Sequence, residues 1–203
     1  MGILAGMKGH VFRALGGLLL SEARVLAVRH EGRFVTLDLE SAALDRARPG
    51  DKIQVLLPDH QVRTYTPIPG RPHRLVVFLH GDTPGPRWAQ AVRPGEALRF
   101  KGPDRSLDLP AGKRVIVGDE TSVAVARSYP DALPLIESAA PIEGLRTFAR
   151  GDHAAIAAAV PEGAVVGLTG GAALIQGVRR HLRERGMAPR VKTYWAPGRT
   201  GLD

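Results

Sequence analysis

The sequence predicts an α+β chain of two domains, an antiparallel barrel followed by a small α/β domain. Three observations predict it. Short apolar segments with strand periodicity fill the first half and are punctuated by Pro-Gly turns. The second half alternates buried-strand runs with helical periods, the pattern of a parallel sheet with crossovers. The texture changes once, near Pro110-Ala111-Gly112.

In the first half, Arg33 to Ser41 places Val35, Leu37 and Leu39 on one strand face. Lys52 to Leu57 does the same with Ile53, Val55 and Leu57. Arg74 to His80 and Ala97 to Lys101 are two further runs, and Val25 to Val28 and Val62 to Thr66 are shorter ones. Pro49-Gly50, Pro69-Gly70, Pro84-Gly85 and Pro94-Gly95 turn the chain between them. Past Gly112, Arg114 to Gly118 reads as a buried strand and Thr121 to Ser128 as a helix. Leu145 to Ala149 is a strand, Ala154 to Val160 a helix and Ala164 to Leu168 a buried strand. Ala172 to Arg185 has helical period, with Leu174, Ile175, Val178 and Leu182 on one stripe, and Val191 to Trp195 closes as a strand.

Composition narrows the function. With 44% apolar and 24% charged residues, the 203-residue chain has the balance of a globular protein. Cysteine is absent, which excludes disulfides, thiolate metal sites and a cysteine nucleophile, so redox chemistry requires a bound cofactor. The formal charge is +8, carried mostly by arginine, with an acidic middle (114–178) between basic ends. That suits an anionic partner. Only 5% of residues are aromatic and no long basic run occurs, which argues against nucleic acid. No apolar run spans a membrane. Lys8 and Arg13 before Ala14 to Leu20 imitate a signal peptide faintly, but no A-x-A site follows, so a cytoplasmic chain is expected.

Four stretches carry candidate chemistry. In Arg63-Thr64-Tyr65-Thr66, Arg63 and Tyr65 share one strand face. A guanidinium fork there suits phosphate and the phenol ring suits a conjugated ring, while Thr66 adds a hydroxyl beside them. His80-Gly81-Asp82-Thr83-Pro84-Gly85-Pro86-Arg87-Trp88 leads into a helix near Trp88, and Gly85 permits close backbone approach to a ligand. Gly118-Asp119-Glu120-Thr121-Ser122 turns a strand into a helix, where α/β sheets take nucleotides and where Thr121 or Ser122 can cap. Lys192, Tyr194 and Trp195 lie on the last strand, and Lys192 is one of only five lysines. Arg150 leaves the C-terminal end of its strand, where an arginine either forks onto a nucleotide 2′-phosphate or is a surface charge of an arginine-rich chain. The histidines are scattered and form no metal site, and no G-x-S-x-G elbow supports a hydrolase.

The order of these elements, R-T-Y-T at 63–66, H-G-D-T-P-G-P-R-W-A at 80–89, G-P-D-R-S at 102–106, G-D-E-T-S at 118–122 and K-T-Y-W-A-P-G-R at 192–199, resembles the siderophore-interacting protein family. These are FAD-dependent ferric-siderophore reductases of the ferredoxin-NADP reductase superfamily. The resemblance runs over roughly residues 22 to 203 and implies an N-terminal extension at 1–21. It further implies a six-stranded FAD-binding barrel at 22–110 and an NAD(P)H-binding α/β domain at 111–203. By resemblance, Arg63 contacts the FAD phosphates, Tyr65 stacks on the isoalloxazine, and Thr64 and Thr66 lie beside it, Thr66 near the hydride-accepting nitrogen. His80, Thr83, Gly85 and Trp88 line the pyrophosphate and adenine side. Gly118, Asp119, Glu120, Thr121 and Ser122 face NADPH or NADH, while Lys192, Tyr194 and Trp195 approach the flavin and Lys192 receives the ferric substrate. The chain departs from the family where Y-T-V-R becomes Tyr65-Thr66-Pro67-Ile68 and G-P-A-S becomes Pro84-Gly85-Pro86-Arg87. The implied activity is reduction of Fe(III) in an anionic ferric siderophore or related chelate, with NAD(P)H or a ferredoxin as donor. A flavin or quinone reductase on the same scaffold, or a non-catalytic flavin module in iron handling, is the alternative.

Overall fold

The structure, a computed structural model, describes residues 20–198. The signal-like stretch before Leu20 and most of the 1–21 extension lie outside them. The chain divides into two compact units, with the boundary between Arg105 and Ser106.

The first unit is one antiparallel sheet. Its strands are β1 (Ser21–Glu31), β2 (Phe34–Glu40), β3 (Asp51–Leu56), β4 (Val62–Tyr65), β5 (His73–Phe78) and β6 (Ala97–Arg105), in the order β4-β3-β6-β1-β2-β5. The outer strands β4 and β5 come back into contact, so the sheet wraps into a barrel around its own apolar face. That face is the alternation expected from the sequence. Val35, Leu37 and Leu39 of β2 and Ile53 and Val55 of β3 have no exposed surface, and Phe100 of β6 joins them. One helix, α1 (Pro84–Ala91), closes against this core through Ala89 and Trp88. It begins at Pro84, four residues earlier than Trp88, because proline at the first helical turn is already set for helix and has no N–H to leave unpaired.

The second unit is a parallel sheet with crossover helices. Strands β7 (Arg114–Asp119), β8 (Leu133–Glu137), β9 (Arg146–Phe148), β10 (Val165–Gly171) and β11 (Arg190–Trp195) run in the order β11-β10-β7-β8-β9. Between them lie α2 (Val123–Ser128), α3 (His153–Ala158) and α4 (Ala172–Glu184). The predicted stripe of α4, Leu174, Ile175, Val178 and Leu182, is buried throughout and packs on Val115, Val117, Val166 and Leu168. Two elements differ from the expected pattern. The helix expected at Thr121 to Ser128 splits into a 3-10 turn (Glu120–Ser122) and α2. Strand β8 was not expected, since Pro134 interrupts a short run that shows no alternation. It nevertheless sits inside the sheet, between β7 and β9. No helix among the described residues is long and apolar enough to cross a membrane.

Candidate functional site

In the first unit, β4 positions the R-T-Y-T side chains through its register with β3. Tyr65 stands opposite Ile53 and Arg63 opposite Val55, so both lie on the side of those core residues, while Thr64 faces the other way with Gln54. The Tyr65 ring meets the Trp88 indole of α1, with centroids 5.7 Å apart and planes tilted by 36°. Gly85, in the first turn of α1, is buried against this pair. A β-carbon there would lie 2.8 Å from the Tyr65 hydroxyl and 3.7 Å from Arg63 Cγ, so a larger residue would displace the Tyr65 ring. Burial pushes the Tyr65 phenol up from its ordinary range, and it remains a neutral donor at physiological pH.

Arg63 donates to the Val62 carbonyl at 2.8 Å and to Gln61 Oε1 at 2.7 Å. Both acceptors are neutral, so its charge is not spent on a carboxylate. The Thr83 side chain makes no capping bond to the helix it precedes. Arg63, Tyr65, Gly85 and Trp88 are thus brought together. The other residues implied for this cofactor are placed differently. His80 is exposed and stacks on Phe78, with centroids 5.9 Å apart. Thr66 follows the end of β4 and is half-buried. The Thr64 hydroxyl is buried without a hydrogen-bond partner among the described residues, on the face opposite Tyr65. Arg87 pairs with Asp82 at 3.3 Å on the surface.

This arrangement fits an FAD. A ring pair, a cation with neutral partners and a helix that opens beside them with a glycine at its second position are what a phosphorylated aromatic cofactor needs at close quarters.

In the second unit, the residues read for a nucleotide stand at the carboxyl ends of β7, β10 and β11, and most have internal partners. The Asp119 carboxylate, not Thr121 or Ser122, caps the turn after β7, accepting from the Thr121 N–H at 2.9 Å. It also accepts from Gly171 N and Trp195 Nε1, each at 2.8 Å. The Ser122 hydroxyl pairs with Thr169 Oγ1 at 2.8 Å. Gly118 lies beneath that pair, and a β-carbon on it would meet Ser122 Oγ at 2.2 Å and Thr169 Oγ1 at 3.0 Å. Gly118→Ala is therefore expected to destabilise this unit by about 1–3 kcal/mol through overpacking. Chemical denaturation checks it, and an unchanged midpoint would contradict it.

Glu120 is buried and receives Arg150 on both oxygens at 2.7 Å, with the Ala139 N–H at 3.3 Å. Arg150 also lies 3.9 Å from the buried Glu137, which accepts from Gly151 N at 2.7 Å and stands 3.3 Å from His153 Nε2. Neither Glu137 nor His153 stands out in the sequence as part of this cluster. Glu137 belongs to the unexpected strand β8, and only its neighbours in the sheet reveal it. Lys192 lies half-buried on β11 opposite Thr169, and Tyr194 is half-buried as well. Among the arginines of α4 and its end, Arg179, Arg180 and Arg183 are exposed. Arg185 instead donates to the carbonyls of Ala157 and Val160 beside α3.

No protein-family model matches the sequence, and no curated protein matches it. Solved structures do. A siderophore utilization protein from T. fusca is 22% identical, with 91% of this chain and 95% of that one aligned at a TM-score of 0.71. The siderophore-interacting protein SipS from Aeromonas hydrophila is 21% identical over 88% of this chain and 98% of its own, at 0.66. A ferredoxin-NADP+ reductase from Plasmodium falciparum shares only 8% identity, yet covers 86% and 96% at 0.69. The likeness is one of fold: a six-stranded antiparallel barrel followed by a parallel α/β unit.

Proposed function

We propose that this chain is a flavin-dependent oxidoreductase that reduces Fe(III) in ferric siderophores or related anionic chelates, with NAD(P)H as donor, in the cytoplasm. The observation that carries the reading is the cluster in which Arg63 and Tyr65 close on the bare α-carbon of Gly85 and Trp88 meets the Tyr65 ring. The fold shared with two siderophore-related structures and a ferredoxin-NADP+ reductase supports it.

In this reading Arg63 holds the FAD phosphates by charge-assisted hydrogen bonds, Tyr65 supports the ring, and Thr66 hydrogen-bonds at its edge. Thr83, Gly85 and Trp88 complete the seat, whereas Thr64 faces away from it and His80 stacks on Phe78. Bound FAD supplies the conversion of a two-electron hydride into single electrons, so one NAD(P)H reduces two Fe(III). The protein contributes binding, orientation and charge. The second unit takes the nucleotide at the Gly118 to Ser122 turn, with Arg150, Tyr194 and Trp195 alongside. Lys192 receives the anionic chelate, as a compact cation on a flexible stem adapts to varied ligands.

Anaerobic titration tests the reading. The FAD-loaded protein is expected to lose its yellow colour with NADPH or NADH and to regain it on addition of a ferric chelate. A flavin that stays oxidised with both nucleotides but bleaches with reduced ferredoxin replaces the donor. Regained colour with quinones but no ferric chelate replaces the acceptor. Failure to bind FAD overturns the proposal.

Lys192→Ala is expected to slow reduction of an anionic ferric chelate at low salt and leave flavin reduction unchanged. The difference should shrink as the screening length falls to about 8 Å at physiological ionic strength. Equal slowing with a neutral chelate would make Lys192 structural.

A further inference from the structure

The carboxyl ends of three neighbouring strands, β7, β10 and β11, converge on a single carboxylate. Asp119 ends β7 and is 2% exposed. One of its oxygens accepts from the N–H and the hydroxyl of Thr121. The other accepts from Gly171 N at the end of β10 and from the indole Nε1 of Trp195 at the end of β11, each at 2.8 Å. Each oxygen therefore holds two donors, drawn from residues up to 76 positions away.

What this carboxylate secures is unusual for a structural contact. Trp195 is 41% exposed, so it forgoes much of the burial that a core tryptophan contributes. It is pinned all the same. Its Nε1 is fixed by Asp119, and its six-membered ring rests on the bare α-carbon of Gly171. A β-carbon there would lie 2.5 Å from Cζ2 and 2.7 Å from Cε2. Packing alone would not call for a buried charge and a glycine to hold an indole half in solvent. The place is informative too. Strand order reverses at β7 and β10, where the chain leaves β7 towards β8 and β9 on one side and returns to β10 and β11 on the other. Open α/β sheets take ligands in the crevice at the carboxyl edge of that point.

We propose that Asp119 is a positioning residue that fixes the Trp195 indole as a stacking platform for a planar heteroaromatic ring of a nicotinamide dinucleotide. This rests on the reading that the second unit takes the nucleotide. Both the nicotinamide and the adenine offer such a ring, and the free mononucleotides separate them. Stacking on one fixed aromatic face changes affinity by roughly tenfold.

The test uses the whole chain loaded with FAD. Trp88 and Trp195 are its only tryptophans, so 5-fluorotryptophan labelling gives two fluorine resonances, and Trp195→Phe assigns them. Asp119→Ala is expected to move and broaden the Trp195 resonance while leaving that of Trp88 in place. Asp119→Asn, which still offers one carbonyl oxygen towards the indole, should restore most of it. Adding AMP or nicotinamide mononucleotide to the native protein should shift the Trp195 resonance with one of the two, which names the ring. Trp195→Phe keeps an aromatic ring but lacks the N–H, and it should lose about tenfold in NADP+ affinity, nearly as much as Trp195→Ala. This variant keeps the proposal testable should Asp119→Ala fail to fold. A Trp195→Phe chain that binds NADP+ as tightly as the native one overturns the proposal. So does a Trp195 resonance indifferent to Asp119→Ala or to both mononucleotides while calorimetry still detects NADP+ binding, a result that leaves the nucleotide reading intact. Failure of calorimetry to detect any NADP+ binding is the distinct result that overturns the nucleotide reading and the platform with it.

Discussion

Arg63→Ala is expected to weaken FAD binding by tenfold to over a hundredfold, the loss of a charge-assisted phosphate contact of about 1.5–3 kcal/mol. The structure makes this a clean experiment. The guanidinium is half-buried, and its partners are the Val62 carbonyl and the Gln61 amide oxygen, so its removal strands no buried carboxylate. Melting temperature should therefore hardly move while FAD affinity falls. Tyr65→Ala is expected to lower affinity as well and to change the flavin absorption envelope, since the ring that meets Trp88 is lost. Tyr65→Phe retains the ring and should keep most of the affinity. Flavin fluorescence quenching on titration of the apoprotein measures all three variants. Full stoichiometry with unaltered affinity and spectrum in both alanine variants would remove the flavin site from β4.

Arg150→Ala carries the second large effect, and it falls on stability. The arginine bridges two carboxylates, Glu120 and Glu137, that are 5% and 6% exposed. Without it, both remain buried with only N–H groups and His153 beside them. Breaking a buried pair by removing one partner costs about 3–5 kcal/mol. Arg150 itself is 48% exposed, so solvent screens part of this and about 2–3 kcal/mol is expected. That corresponds to a fall of roughly ten degrees in the melting temperature of the second unit. Nucleotide binding discriminates the two readings of this residue. An arginine engaged with a 2′-phosphate makes Arg150→Ala weaken NADPH and spare NADH. An arginine that holds the sheet edge together makes both weaken alike. The bidentate contact to Glu120 at 2.7 Å leads us to expect the second result. Arg150→Lys should recover only part of the stability, since one ammonium cannot serve Glu120 and Glu137 together as Nη2 and Nη1 do.

Some of this protein is written in short-range pattern. The Val35-Leu37-Leu39 alternation of β2, the Leu174-Ile175-Val178-Leu182 stripe of α4 and the shared face of Arg63 and Tyr65 each follow from the periodicity of a single element. A strand or a helix presents its faces whatever it packs on, so those features are legible before any fold is known. The change from Pro-Gly-punctuated strands to strand–helix alternation is equally local, and it separates the antiparallel barrel from the parallel sheet.

Other features exist only once distant segments meet. Strand β8 has little strand signal of its own and forms because β7 and β9 flank it, and with it Glu137 enters the cluster around Arg150. Asp119 and Glu120 look unsuited to a phosphate site when read along the chain. Folding supplies their donors from 30, 52 and 76 residues away, and the carboxylates become internal ties instead of ligand-facing charges. The seat at Gly85 likewise depends on α1 reaching β4 across the intervening strand β5. Periodicity is a property of neighbours in sequence, whereas a buried charge is made tolerable by partners in space. The sequence alone therefore determined most elements and their apolar faces, and only the tertiary structure decided where β8 lies, which polar groups satisfy one another, that Arg63 meets only neutral acceptors and that Trp195 stays partly exposed.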